Sequence, residues 1–189
     1  MISSPQNDKV KLAYSLQTQA KVRRRERKIA LEGARLVGDA IARGRKPEFI
    51  LYDAQAVDYG LIAEWQNRVG ASNLYAAAPD IIERLSTTEH SQGIIAVLPI
   101  PMPELPRKPR RVLILDGVRD PGNMGTILRT AAAAGVQIVV LSPDCVDPYN
   151  PKALRGGMGA HFRVPIVEAS WQEITQYCED LPVYLAAGD

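Results

Sequence analysis

Residues 115–135 read LDGVRDPGNMGTILRTAAAAG, and this stretch decides the fold. The apolar run RVLILD, which leads into it, is typical of a buried strand. TILRTAAAA is typical of a helix that Gly135 ends, and the apolar run VQIVVLS follows at once. This order predicts a strand–helix–strand unit of a parallel sheet. The turn after the first strand then lies at the carboxyl end of the sheet, where ligands bind in such folds.

The same alternation extends in both directions along the chain. RKIALEGARLVGDAIARG places apolar residues from Ile29 to Ile41 on one stripe and predicts a helix that Gly44 ends. Further strands are predicted over 48–53, 73–78, 93–99, 162–168 and 181–187, and further helices over 61–69, 80–86, 152–160 and 171–179. The pattern predicts the α/β fold class.

A proline-rich segment divides the chain. PIPMPELPRKP, residues 99–109, contains five prolines, which remove backbone donors and favour extended conformations. We interpret it as a semi-rigid linker. The predicted domains are therefore residues 1–98 and 110–189.

The composition of the chain and the spacing of its glycines, cysteines and histidines exclude several classes of protein. With 46% hydrophobic and 23% charged residues the chain is typical of a soluble globular protein, and MISSPQNDKV lacks the apolar core of a signal peptide, which predicts a cytoplasmic protein without membrane contact. Two cysteines and two histidines in no recognisable motif predict neither a metal site nor a disulfide framework. The spacing of Gly117, Gly122 and Gly125 does not match a dinucleotide fingerprint, and no G-K-[ST] occurs.

The strongest local charge lies near the N-terminus. KVRRRERK, residues 21–28, carries six positive residues and one negative. Such a run is either the solvated face of a helix or a patch that contacts phosphates. Its arginines favour nucleic acid, because a guanidinium can hold a phosphate with two parallel bonds.

Taken together, residues 115–135 resemble motif 1 of the SpoU, or TrmH-like, RNA 2′-O-ribose methyltransferases of the SPOUT superfamily. The matching residues are Asp116, Asp120, Pro121, Asn123, Gly125, Arg129, Thr130, Ala131 and Gly135. NPKALRGGMGAHFRVPI, residues 150–166, is similar to the family's following segment, although the family more often has Ala-Ser in place of Gly156 and Gly157. IALEGARLVGDAI and HSQGIIAVL resemble the family's substrate-binding domain, which is similar to ribosomal protein L30e.

The resemblance implies a fold and a function. The fold is a small L30e-like α/β/α domain with a basic N-terminal helix, followed by the first part of a knotted-type α/β SPOUT domain with a parallel sheet. The function is S-adenosylmethionine-dependent 2′-O-methylation of a ribose in rRNA or tRNA, by a homodimer of the full-length protein.

The resemblance also implies the site residues. Arg129 and Asn123 are the candidate catalytic residues, with Arg129 near the ribose 2′-hydroxyl. Because a guanidinium stays protonated, we expect Arg129 to bind phosphate and stabilise the developing alkoxide rather than abstract a proton. Asn123 could instead cap the helix. The expected RNA contacts are Arg23, Arg24, Arg25, Arg27, Lys28, Arg35 and Arg155.

The family's later motifs, which form the knot and the cofactor pocket, do not occur in these 189 residues. We therefore expect the cofactor-binding residues beyond Asp189 and expect this portion alone to be inactive. Two other functions stay open: a non-catalytic RNA-binding module related to the family, and a small-molecule α/β enzyme that shares only the strand–helix turn.

Overall fold

The structure, a computed structural model, describes residues 1–102, 104–106, 109–179 and 182–186. These residues form a four-stranded sheet with strand order β1-β4-β2-β3 and a three-stranded sheet with order β5-β6-β7. The strands are β1 (Lys28–Glu32), β2 (Phe49–Asp53), β3 (Leu74–Ala77), β4 (Ile94–Pro99), β5 (Val112–Leu115), β6 (Ile138–Leu141) and β7 (Ile166–Glu168). The helices are α1 (Asp8–Thr18), α2 (Ala20–Glu26), α3 (Ala34–Ala42), α4 (Tyr59–Val69), α5 (Pro79–Leu85), α6 (Pro121–Ala133), α7 (Pro151–Gly157) and α8 (Trp171–Cys178).

The first sheet has helices on both faces. Strand β4 is antiparallel to β1 and β2, and β2 is parallel to β3. On one face, Ile29 and Leu31 share a buried cluster with Trp65 of α4. On the other, Ala30 shares a second buried cluster with Leu16 of α1. The predicted α/β/α arrangement is therefore confirmed.

The predicted single helix across residues 27–44 is wrong in its first third. Residues Lys28–Glu32 form strand β1, and α3 begins only at Ala34. Gly33 separates them with φ +95°, a left-handed value that disfavours other residues. Because helices cover both faces of β1, residues 29–31 in its middle form a continuous apolar run, which periodicity alone does not distinguish from a buried helix.

The second sheet confirms the predicted parallel unit. Strand β5 pairs with β6 from Val112 opposite Ile138, and β6 pairs with β7, all in parallel. Two of the flanking predictions differ. Only residues 166–168 of the predicted strand 162–168 are extended, because a short 3₁₀ turn occupies Ala160–Phe162. No strand forms over 182–186; residues 181 and 187 of that prediction lie outside the described residues.

Helix α7 contacts both domains. It packs so closely on α6 that a Cβ on Gly125 would lie 2.5 Å from the carbonyl oxygen of Ala153. Leu154 of α7 and Phe162 belong to the same buried cluster as Trp65 of the first domain. The helix that supports α6 therefore also packs against the first domain. No helix in the described part of the chain is both long and apolar enough to cross a membrane.

Candidate functional site

The side chain that caps the N-terminus of helix α6 is not that of Asn123. Asp120 is the N-cap: its Oδ1 accepts a hydrogen bond from the Asn123 backbone N at 2.8 Å, and Pro121 is the first helical residue. That bond and the ammonium group of Lys152 lower the pKa of Asp120. The alternative in which the Asn123 side chain caps the helix is thus wrong. The Asn123 side chain lies exposed in the first helical turn.

Asn123 faces an open cavity at the carboxyl end of β5. The cavity has a volume of about 350 Å³, and Gly117, Arg119 and Thr126 line it together with Asn123. Beneath it, the Ser142 hydroxyl donates to Asp116 Oδ1 at 3.0 Å and accepts from the Gly117 N–H at 3.1 Å. These bonds hold the turn that follows β5 in one conformation.

Arg129 lies further along α6, beside a different cavity. Its Nη1 lies 3.3 Å from Sδ of Met158, and no carboxylate in the described part of the chain forms an ion pair with it. Met158 has φ +45°, an unusual value for a residue other than glycine. The sulfur therefore supports the guanidinium without neutralising its charge.

Met158 lines a cavity of about 330 Å³ between the two domains, which we call the interdomain cavity. The first domain contributes Glu32, Gly33, Arg35, Leu36, Asp39 and Gln92, and the second contributes Arg155, Met158 and Arg163. Three guanidinium groups thus border one space next to Arg129.

Glu32 and Arg155 link the two sides of this cavity. The buried Glu32 carboxylate accepts hydrogen bonds from the Thr87 N–H and from the hydroxyls of Ser86, Thr87 and Thr88. Burial raises the pKa of Glu32, but these hydrogen bonds outweigh it and leave the pKa lowered. Arg155 lies 3.7 Å from Glu32 and donates to the Thr87 hydroxyl. Arg155, predicted to contact RNA, is thus engaged with the first domain.

Arg23 differs from the other arginines of the basic run. Its side chain is 4% exposed, and its guanidinium lies 2.7 Å from the carboxylate of Asp147 in the second domain. It also donates to the carbonyl of Leu16 at 2.6 Å. The predicted RNA contact at Arg23 is therefore wrong in this structure, because the charge is buried and already paired.

The remaining members of the run lie at the surface or partly exposed, and their RNA contacts stay predictions. Arg24 is 3.4 Å from Glu168, Arg25 is 2.8 Å from Glu26, and Lys28 is 2.7 Å from Glu48. Arg27 is exposed and ends α2 in the left-handed conformation. Surface ion pairs of this kind are weak, so a phosphate could displace them.

Comparison with known proteins places these sites in a family. Residues 110–188 match the model of the SpoU rRNA Methylase family, and residues 7–96 match that of the MRM3-like substrate binding domain. The chain is 34% identical to the 23S rRNA (guanosine(2553)-2'-O)-methyltransferase RlmP of Bacillus subtilis, over 95% of this chain and 68% of that protein. The chain belongs to the SpoU rRNA methylase family.

Two further rRNA methyltransferases agree with this assignment. The human mitochondrial rRNA methyltransferase 3 is 38% identical over 87% of this chain. The chain spans only 41% of that protein's length. The crystal structure of an AdoMet-bound rRNA methyltransferase from Sinorhizobium meliloti superposes with a TM-score of 0.78, at 28% identity, over 95% of this chain and 68% of that one.

The structure explains one departure from the SpoU pattern. A Cβ on Gly157 would lie 2.5 Å from the buried ring of His161, whereas a Cβ on Gly156 would make only ordinary contacts, the nearest at 3.4 Å from Gly125. A side chain at position 157 would therefore require His161 to move. The position of the His161 ring therefore explains why residue 157 is a glycine.

Sequence reasoning missed Gln92, Met158 and Asp147. Gln92 lies in HSQGIIAVL, but its hydrogen bond is to Ala34, which is distant in the sequence. Met158 contacts Arg129 of α6, and Asp147 pairs with Arg23 across the domain boundary. Within the described ranges, no group of three or more His, Cys, Asp or Glu side chains could hold a metal ion.

Proposed function

We propose that the whole protein methylates a ribose 2′-hydroxyl of rRNA, with S-adenosylmethionine as the methyl donor. Membership of the SpoU family, the activity named for RlmP and the AdoMet-bound neighbour support this proposal. The observation that carries it is Arg129, an exposed guanidinium beside the interdomain cavity. Among the described residues, its side chain forms a hydrogen bond with the Met158 thioether and no ion pair.

Arg129 suits the charge that this reaction develops. A ribose hydroxyl is a weak nucleophile, and negative charge grows on its oxygen as it attacks. Because a guanidinium stays protonated, Arg129 stabilises that oxygen and binds the adjacent phosphate but does not remove the proton. The proton passes to a phosphate oxygen of the RNA or to water. A carboxylate partner would weaken this effect, and the described residues supply none.

When bound, S-adenosylmethionine supplies the methyl group that the ribose oxygen takes. Ligands of parallel sheets bind at the carboxyl ends of the strands. There, the Ser142 hydroxyl donates to Oδ1 of Asp116 and accepts from the Gly117 N–H. Because these bonds hold the turn after β5, we assign the three residues to the support of that turn.

We further propose rRNA rather than tRNA as the substrate, because the relatives compared above are named for rRNA. A homodimer and a cytoplasmic location are also proposed, the first from the family resemblance and the second from the composition of the chain. Sedimentation of the full-length protein and its cellular fractionation test these two points.

The direct test uses the full-length protein and S-adenosylmethionine with a labelled methyl group. The substrate is rRNA isolated from cells that lack this protein. We expect label at one ribose, detected by resistance of the adjacent phosphodiester to alkaline hydrolysis. Arg129→Ala should lower kcat about 10²- to 10³-fold, typical for loss of a group that stabilises an oxyanion, with a small change in KM. Arg129→Lys should retain part of the rate.

Arg68→Ala is the matched control, because Arg68 is an exposed arginine of α4 whose partner is Glu64 on the same helix. A large fall in thermal stability of Arg129→Ala would instead show a structural role. RNA binding by the wild-type protein without methyl transfer would favour the non-catalytic RNA-binding module.

A further inference from the structure

We infer that the interdomain cavity seats one nucleotide of the substrate RNA, next to the nucleotide whose ribose is methylated, and that Arg35 and Gln92 hold it. This inference rests on the proposed function, because it places the nucleotide beside the ribose that is methylated. It assigns a role to a space between the two domains and to a glutamine that is not among the predicted site residues.

Arg35 is the guanidinium of the cavity that has no ion-pair partner among the described residues. Arg163 lies 3.3 Å from Asp39, and Arg155 is engaged with Glu32 and Thr87. Within the described ranges, Arg35 forms neither an ion pair nor a side-chain hydrogen bond, and it is exposed. Of the three guanidinium groups that line the cavity, this one is open to an incoming ligand.

Gln92 presents a second free donor. Its Oε1 accepts a hydrogen bond from the Ala34 backbone N at 3.1 Å, which orients the amide. Gly33 makes this approach possible, since a Cβ there would lie 2.7 Å from the same oxygen. With Oε1 held by the backbone, the Nε2 group is left without a partner in the described part of the chain. The Glu32 carboxylate, which lines the same cavity, already accepts four hydrogen bonds.

The open groups of the cavity are therefore donors, and the fitting ligand is rich in acceptors. A guanidinium binds phosphate oxygens or the O6 and N7 acceptors of guanine with two bonds, and an amide N–H can donate to a base carbonyl. A nucleotide offers both kinds of acceptor. The volume of about 330 Å³ lies within the roughly 300–1,000 Å³ of small-molecule sites.

The position of Met158 connects the cavity to the methylated ribose. Met158 lines the cavity, and its sulfur contacts Arg129. A nucleotide seated against Met158 would thus lie next to a ribose at Arg129. Proteins read RNA sequence mainly from unstacked, single-stranded nucleotides, which such a cavity can accept one at a time.

The first experiment measures binding of a fluorescent single-stranded RNA 12-mer containing guanosines to the full chain. Arg35→Ala should weaken binding about tenfold and reduce the slope of log affinity against log salt by about 0.7, the value for one lost phosphate contact. Gln92→Glu keeps the acceptor for the Ala34 N–H but replaces the free donor with negative charge, so it should also weaken binding. Arg68→Ala should bind as the wild type does.

The outcomes separate this inference from the proposed function. Wild-type binding with no loss in Arg35→Ala and Gln92→Glu would overturn the cavity assignment and leave the methyltransferase proposal standing. If the wild-type protein bound no RNA, both the cavity assignment and the methyltransferase proposal would be refuted.

A second measurement follows the Gln92 side-chain amide by NMR, with its signal identified by its absence in Gln92→Glu. Guanosine 5′-monophosphate should shift this signal in a saturable way. An equal shift with inorganic phosphate assigns the contact to phosphate, and a shift with guanosine assigns it to the base. No shift with any of the three would refute the assignment of Gln92.

Discussion

Loss of the Arg23 side chain should destabilise the first domain by about 3–5 kcal/mol, the usual cost of leaving a buried charge without its partner. The Arg23 and Asp147 side chains are 4% and 11% exposed, and their N–O distance is 2.7 Å. Removing the guanidinium leaves the Asp147 carboxylate unpaired between the domains. It also leaves the Leu16 carbonyl without the donor that lies 2.6 Å away.

Arg23→Met is the best perturbation, because it retains apolar volume while removing the charge. The two tryptophans lie in different domains: Trp65 is buried in the first, whereas Trp171 on α8 is 49% exposed. In a Trp171→Phe background, urea unfolding followed by fluorescence therefore reports the first domain. In this assay the free energy of unfolding of Arg23→Met should be lower than that of the background by about 3–5 kcal/mol.

A second substitution tests the cause. Asp147→Asn removes the charge yet retains Oδ1, which accepts the Tyr149 N–H at 2.9 Å. The double variant Arg23→Met/Asp147→Asn should recover most of the lost stability, because no unpaired charge remains. Arg24→Met, which breaks an exposed pair, should cost less than about 1 kcal/mol. A cost below 1 kcal/mol for Arg23→Met, or no recovery in the double variant, would refute the reasoning.

The remaining predictions concern His161 and Met158. Burial lowers the pKa of His161 to about 4, whereas the same histidine in the unfolded chain takes up a proton near pH 6.5. The contribution of the neutral His161 to the free energy of unfolding is therefore present above pH 6.5. The free energy of unfolding should fall by about 2 kcal/mol between pH 7 and pH 5. This pH-dependent loss of stability should vanish in His161→Gln. If NMR showed that His161 in the folded protein titrates near pH 6.5, the prediction would be wrong. In the full-length protein, Met158→Gly should leave the melting temperature unchanged or slightly higher, because relief of about 1 kcal/mol of left-handed strain offsets the lost contacts. Methyl transfer should nevertheless fall about tenfold as Arg129 loses its support, and an unchanged rate would show that Met158 does not position it.

The local segments could be predicted because their signals are short in range. A strand, a proline-started helix and a second strand are encoded in neighbouring residues, and the structure confirms this parallel unit. The motif in the turn identified the family and singled out Arg129. The one helix that was misread, across Lys28–Glu32, failed because burial on both faces removes the alternation that distinguishes a strand.

Only the tertiary structure separated residues that the sequence presents as equivalent. Arg23 and Arg24 are adjacent and chemically identical, yet one is buried against Asp147 and the other is exposed beside Glu168. Likewise, Asn123 and Arg129 share one helix but lie beside different cavities. Local sequence indicated most of the helices and strands, with Lys28–Glu32 as one exception. The free energy of a charge depends on what surrounds it, and those surroundings come from segments more than a hundred residues away.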